Sequence, residues 1–505
     1  MVSWEAEVQD FHVVCGVLGV FGLLLGSVSY FVKERLFISE PLICLLIGTA
    51  FSRHGAGFIL PNKYADDDRW LSHINLSFSR LDLCLQVFLT GLQLPPKYLR
   101  QQWRPLLIIL GPGMTLMWLI SSLIVWALTK NFSFLESLVV GGCIAPTDPV
   151  LANSIIKGRF ADDYMPLDLT HFIAAESGAN DGLAYPFVFL GLWLFYARHS
   201  ADVSAGTATG YWFGDTWAYV VLLSVVWGAI TGYVARKVLR FFANLRYIDL
   251  ESFHAFPVFT ALMLIGTCGL VGSDDVLACF VAGNVMGWTG WFQSETDDDS
   301  SQSTLDMLLT QAIFLWFGAV CPWPEFADSA EVIGIGRLIA LAVLVLLLRR
   351  LPVVLSLYKI MGPVPNLKFA AVMGHFGPVG VSAIFYLYET VIWLEEHFEP
   401  SPEVLRLERV TRLVVWFVVV SCVVVHGLSI SAFKIYEYLA ARMGHAEAKG
   451  LRERWKKEKD LWQHSTFHIG GPRAGEVRDH DDRPRLPPHR INWRRLRHPE
   501  TNSSE

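Results

Sequence analysis

Apolar stretches of about 20 residues recur along the chain from residue 11 to residue 432, and they decide the class of fold before any motif is read. In hydrocarbon no water meets backbone N–H and C=O groups, so a spanning segment is either a helix or a strand of a closed barrel. A helix needs about 20 residues to cross, a barrel strand about half of that. Thirteen spans can be drawn, at roughly 11–32, 41–60, 74–94, 105–129, 134–156, 168–196, 216–238, 254–272, 274–292, 306–321, 333–358, 369–393 and 411–432. The expected fold is an all-α polytopic membrane protein of about 13 transmembrane helices. A composition of 53% hydrophobic and 17% charged residues suits a lipid bilayer, and nothing in it calls for a nucleic acid. All eight cysteines sit in apolar segments without a Cys-x-x-Cys pair, so they are expected as small core residues rather than disulfides or metal ligands. No basic segment with a cleavage pattern precedes the first apolar run, which is therefore expected to stay as a helix.

Charge sets the expected orientation. One set of loops holds Lys33, Arg35, Lys97, Arg100, Arg104, Lys157, Arg159, Arg236, Lys237, Arg240, Arg246, Lys359 and Lys368. The opposite set carries Asp66, Asp67, Asp68, Asp274, Asp275, Glu325, Asp328, Glu395 and Glu396. Positive loops stay in the cytoplasm, which puts the N-terminus outside and, with an odd number of spans, the C-terminal tail inside. The acidic run Asp297, Asp298, Asp299 is an exception on the cytoplasmic side, and acidic residues weigh little in that rule. Residues 433–505 hold 16 Lys/Arg against 11 Asp/Glu; a surface helix is expected over 440–462 and disorder beyond it.

Two spans are broken by their own residues. Span five carries Gly141, Gly142, Pro146 and Pro149; span twelve carries Gly374, Gly377, Pro378 and Gly380. They lie seven spans apart, an odd offset, so equivalent units would run in opposite directions through the membrane. Paired Gly/Pro-broken helices in two inverted halves point to a transporter binding site.

Acidic groups gather at the first break. Asp148, Glu176 and Asp181 fall within 34 residues of otherwise apolar sequence. A lone aspartate near the middle of a spanning helix costs roughly 2.5–3.5 kcal/mol, so three carboxylates call for a function. Pro149 disfavours helix at Asp148, and Pro146 does the same one turn earlier, so the chain is expected to unwind at Thr147-Asp148. Freed carbonyls, a hydroxyl and carboxylates are hard oxygen ligands that suit Na⁺ or Li⁺. Ser177 and Asp181 share one helical face, expected towards the break; Glu176 and Asn180 share the next, expected into the protein. Glu176 then needs a cation, with Arg350 preferred and Arg349 the fallback. Asp148 reads equally as a ligand or as a helix cap. Asp181, without a full-time partner, can hold either a proton or a metal cation. Arg80 and Asp82 are read as interfacial, and His375 as a hydrogen-bonded interior histidine.

These residues resemble a known family. APTDPVLA at 145–152 and ESGANDG at 176–182 are similar to the monovalent cation/proton antiporters of the NhaP and mammalian Na⁺/H⁺ exchanger type. LCLQVFLTGLQLP, LLRRLP and GHFGPVGVSAIFY look most like the fungal plasma-membrane Na⁺/H⁺ antiporters. The resemblance implies a 13-helix inverted-repeat fold, a homodimer, and a core domain (about 105–196 and 333–432) moving against a dimerisation domain (about 11–94 and 216–321). It implies ion and proton binding at Asp181, with Asp148, Thr147 and Ser177 as further Na⁺/Li⁺ ligands. It also implies a structural Glu176–Arg350 pair, with Asn180 preceding Asp181 as in the Asn-Asp subgroup. Thr90 stands where several relatives carry an acid in span three. The expected activity is exchange of cytoplasmic Na⁺ or Li⁺, or K⁺, for external protons, without a cofactor, in the plasma membrane. Rival readings are an intramembrane aspartyl protease using Asp148 and Asp181, and a cation channel.

Overall fold

A computed structural model describes residues 10–442 except 66, 157–158 and 297–300, together with Trp455 and Lys459. The described secondary structure is all helical, with no strand among the described residues. Taking together helices that continue one another, the chain runs as α1 (Asp10–Phe31), α2 (Glu40–Phe51), α3 (Asp68–Gln93), α4 (Trp103–Leu128), and α5 in two halves (Phe134–Cys143 and Pro149–Ile156). Next come α6, also in two pieces (Leu167–Gly182 and Tyr185–His199), α7 (Ala205–Asn244), α8 (Leu250–Val271), α9 (Asp275–Met286) and α10 (Ser301–Val320). The last are α11 (Ile335–Ile360), α12 in two halves (Leu367–His375 and Val381–His397), and α13 (Pro402–Arg442). Seven of these, α1, α4, α7, α8, α10, α11 and α13, are long and apolar enough to cross a membrane alone. The others are short, broken or polar, and they lie among the seven.

Helix starts are legible in local chemistry. At α3 the Asp67 carboxylate accepts from the Trp70 amide at 2.8 Å, so the helix begins at 68 rather than the expected 74. A capping box opens α5: Ser133 Oγ accepts from the Glu136 amide (3.2 Å) and Glu136 Oε2 from the Ser133 amide (2.7 Å). Ser204 caps α7, which starts eleven residues before the drawn span, by accepting from the Thr207 amide at 3.2 Å. The second span, drawn to 60, ends as helix at Phe51, because residues 52–60 turn back through Gly57 at φ +69°. α13 outruns its drawn span at both ends, since a helix need not stop where its apolar stretch does.

The packing centres on α9, which lies against both α3 and α7, while α2 packs on α10 and α4 on α5. Backbone-to-backbone contact makes the α7–α9 seam. A Cβ on Gly228 would sit 2.4 Å from the Ala278 carbonyl oxygen, and one on Gly232 equally close to that of Ala282. Two glycines four apart are the small-residue device by which membrane helices approach closely. Large apolar side chains such as Leu24, Phe213 and Leu270 are exposed along α1, α7 and α8, faces that suit lipid or another apolar surface. Seven of the cysteines are buried as expected; Cys15, on α1, is exposed.

The tail helix expected at 440–462 lies largely outside the described residues, as do Lys157 and Asp297 to Asp299. Trp455 is described. Its ring lies under the Lys368 ammonium (3.5 Å to the centroid) and edge-on to Tyr164 and Phe369.

The α7–α9 seam yields a test. Gly232→Ala is expected to destabilise by about 1–3 kcal/mol, the cost of forcing a methyl group into a filled contact. Gly210→Ala, on the same helix with nothing within 4 Å of the added carbon, is expected to leave thermal unfolding in detergent unchanged or slightly raised.

Candidate ion-binding site

The helix of α5 stops at Cys143 and restarts at Pro149; that of α12 stops at His375 and restarts at Val381. The two breaks cross. The Asp148 amide donates to the Pro378 carbonyl at 2.9 Å, tying one unwound segment to the other. Four half-helix ends are thereby buried together, each with backbone groups that the helix cannot satisfy.

One residue serves the two amino-terminal ends. Asp148 Oδ1 accepts from the Val150 amide at 3.1 Å, and Oδ2 from the Val381 amide at 3.3 Å. Its charge thus faces the positive ends of two half-helices. Gly380 makes room for it, because a Cβ there would lie 1.9 Å from Asp148 Oδ2. Another residue serves the carboxyl-terminal ends. Arg349 Nη1 donates to the carbonyls of Ile144 (3.1 Å), Ala145 (2.8 Å) and Pro146 (3.0 Å), and Nη2 donates to the carbonyl of Gly377. The break was expected to leave carbonyls free as ligands, but those at 144–146 are occupied by Arg349. The signal was present in the doubled arginine of LLLLRRLP, where only one arginine could be matched to an acid.

Arg350 takes that acid. Its Nη1 and Nη2 donate to Glu176 Oε1 and Oε2 at 2.5 and 2.6 Å, and its Nε to the Met373 carbonyl at 3.1 Å. Both side chains are buried. Gly377 lets the arginine pass, since a Cβ there would fall 2.0 Å from Arg350 Cδ.

The first half of α6 brings Ser177, Asn180 and Asp181 to the α5 break. Thr147 Oγ1 and Ser177 Oγ are 3.4 Å apart. Asn180, expected to point away, instead holds the unwound strand: its Oδ1 accepts from the Thr147 amide (3.1 Å) and its Nδ2 donates to Thr147 Oγ1 (2.6 Å). Faces 100° apart on one helix can both reach a neighbour that lies between them, and a carboxamide carries the acceptor and the donor used here on two separate atoms. Asp181 is fully buried, with no hydrogen-bond partner on either oxygen. Ser382 is the hydroxyl beside it, and the Asp148 charge acts on it. Tyr386 steadies its backbone, donating to the carbonyls of Asp181 (2.5 Å) and Gly182 (3.1 Å). Ser382 and Tyr386 carry no motif of their own in the sequence; only their position in the first and second turns after the α12 break marks them.

Three expectations are corrected. Asp82 is buried at 1% exposure rather than interfacial, because α3 starts earlier than drawn and Asp82 falls at its middle. Arg80 pairs with buried Asp275 at 2.5 Å. His375 is exposed and bonds Ser429 at 3.1 Å; the interior histidine is His426, bonded to the carbonyls of Cys422 and His375.

Glu176→Gln leaves Arg350 buried beside a neutral amide. It is expected to lower stability by about 3–5 kcal/mol, the usual cost of breaking a buried pair from one side. Thermal unfolding of the purified protein measures it, and an unchanged melting temperature would place Glu176 outside the structural pair.

Residues 20–434 match the family described as sodium/hydrogen exchanger, transmembrane. The chain is similar to Na(+)/H(+) antiporter 2 of Zygosaccharomyces rouxii, 35% identical over 87% of this chain and 55% of that protein. It is similar to the Na(+)/H(+) antiporter of Saccharomyces cerevisiae at 34%, over 87% of this chain and 45% of the relative. The Na(+)/H(+) antiporter of Schizosaccharomyces pombe is 28% identical, over 86% of this chain and 93% of its own length. The chain thus spans about half the length of the first two relatives. In fold it resembles the sodium proton antiporter MjNhaP1 from Methanocaldococcus jannaschii, with a TM-score of 0.59 at 16% identity, over 82% of this chain and 99% of that one. A discontinuous α5 crossing a discontinuous α12, and a family match along nearly the whole membrane region, lead to one assignment: the chain belongs to the sodium/hydrogen exchanger family.

Proposed function

We propose that the chain is a secondary-active antiporter that exchanges cytoplasmic Na⁺ or Li⁺ for external H⁺, the two competing for Asp181. The observation that carries this reading is the isolation of Asp181. Both buried arginines are committed elsewhere, Arg349 to carbonyls and Arg350 to Glu176, and neither oxygen of Asp181 has a partner. A buried carboxylate without a counter-ion is costly, so it takes up a proton or a metal cation. Thr147 and Ser177 supply neighbouring hydroxyls. Asp148 contributes charge, while its oxygens stay on helix amides. Cargo ions are the only non-protein groups this scheme uses.

In this reading α4 to α6 with α11 to α13 form the moving body, and α1 to α3 with α7 to α10 the dimerisation body. Movement of the crossing from one face of the membrane to the other gives alternating access. The reading takes the chain as a plasma-membrane homodimer, and the loop charges support an N-terminus outside. An aspartyl protease needs two carboxylates sharing one water and a proton. Asp148 is unsuited to that, because amides of two helices hold both its oxygens.

Purified protein in liposomes loaded with a pH-sensitive dye tests the reading. An outward Na⁺ or Li⁺ gradient is expected to acidify the lumen of the cation-containing side in wild type, and Asp181→Asn to abolish this with an unchanged melting temperature. Wild-type exchange in Asp181→Asn would refute the assignment. Current without coupled proton movement would favour a channel.

A further inference from the structure

Six polar residues of α3 fall on one line. Ser72, Asn75, Ser79, Asp82, Gln86 and Thr90 recur at spacings of three and four, which places them on one face, and all six are buried. α3 is 26 residues long, yet it is not among the helices apolar enough to cross alone. Polar side chains in a membrane helix often serve as glue, and then their polar atoms are paired. Asn75 fits that role, accepting from Trp316 Nε1 at 2.8 Å. Further along it fails. Ser79 Oγ, Asp82 Oδ1 and Gln86 Oε1 are buried without a hydrogen-bond partner. The other oxygen of Asp82 accepts from Gln86 Nε2 at 3.0 Å, so the two side chains form one unit with an unused oxygen on each.

Among the described residues no ion pair reaches this unit. Arg80, two residues away, is turned to Asp275 on α9. On α9, whose Gly283 lies against Phe88 of α3, Asn284 Oδ1 is a further buried oxygen without a partner. The charges of Asp148 at the crossing and of Asp306 on α10 act on Asp82. The amino-terminal end of the stripe opens into a cavity of about 280 Å³ whose lining mixes Asp68 and Glu325 with Arg53, His54 and Arg412, beside Ser72 and Asn75. The stripe thus runs from a polar cavity at one end of α3 to the level of the helix breaks.

We propose that Asp82 and Gln86 form a second oxygen site for a monovalent metal cation, a station that Na⁺ or Li⁺ occupies between that cavity and Asp181. Carboxylate and amide oxygens are hard donors, matched to such ions. As a route to Asp181 the proposal rests on the antiport reading above; as a cation site it stands on α3 alone.

The test separates the two. In detergent, Na⁺ bound to the folded state raises the melting temperature. Asp181→Asn is expected to keep part of the Na⁺-dependent rise seen in wild type, and the double variant Asp82→Asn with Asp181→Asn to lose it. Complete loss in the single variant would overturn the station. In liposomes Asp82→Asn is expected to raise the apparent KM for Na⁺ roughly tenfold, the loss of one charged contact, with a smaller change in maximal rate. An unaltered KM would also overturn it. Should Asp82→Asn fail to fold, Gln86→Leu in the Asp181→Asn background carries the same melting measurement, with the same two outcomes. Wild type that binds Na⁺ through Asp82 but exchanges no protons would sustain the station and refute the antiport reading.

Discussion

Everything in this membrane domain is arranged around four buried helix ends. A continuous helix hides its backbone polarity; two helices broken at the same depth expose it where no water can help. The crossing of α5 and α12 is tolerable because two opposite charges divide the work. Asp148 receives the two amino-terminal ends and Arg349 the two carboxyl-terminal ends, so the partial charges of each pair meet a full charge of the other sign.

The arginine count at the crossing has a second effect. With Arg349 spent on carbonyls and Arg350 on Glu176, no buried cation is left for the remaining carboxylate. Asp181 is thus left uncompensated, while Asp148, Arg349, Arg350 and Glu176 around it are all held by hydrogen bonds. Asn180 and Tyr386 fix the peptide on which it is mounted, so its position is rigid even though its charge has no permanent partner.

Much of this was legible from residue order. Apolar length gave the helical class, Gly and Pro placed the breaks, and the spacing of Glu176, Ser177, Asn180 and Asp181 brought one turn of α6 to the site. What was hidden depended on three-dimensional neighbours. Asn180 and Ser177 occupy adjacent faces, and which of them grips the strand depends on the angle at which α6 approaches α5. Freed carbonyls cannot be seen to be occupied until Arg349 is seen beside them. Asp82 was misjudged for a more local reason. The polar opening of α3, residues 68–73, masks its start in any hydropathy window, so a mid-helix acid looked like a boundary residue.

The glycine seam between α7 and α9 has a mechanical consequence. Where main chains touch, as at Gly228 and Gly232, shifting one helix along the other would drive neighbouring Cβ atoms into carbonyl oxygens. Across the α6–α9 contact Gly178 meets the ring of Phe280, which can turn aside, while Gly182 meets the backbone and Cβ of Leu277, which cannot. The α7–α9 seam is thus a weld at both glycines, and the α6–α9 contact beside Asp181 is closed at Gly182 and yields only at the Phe280 ring.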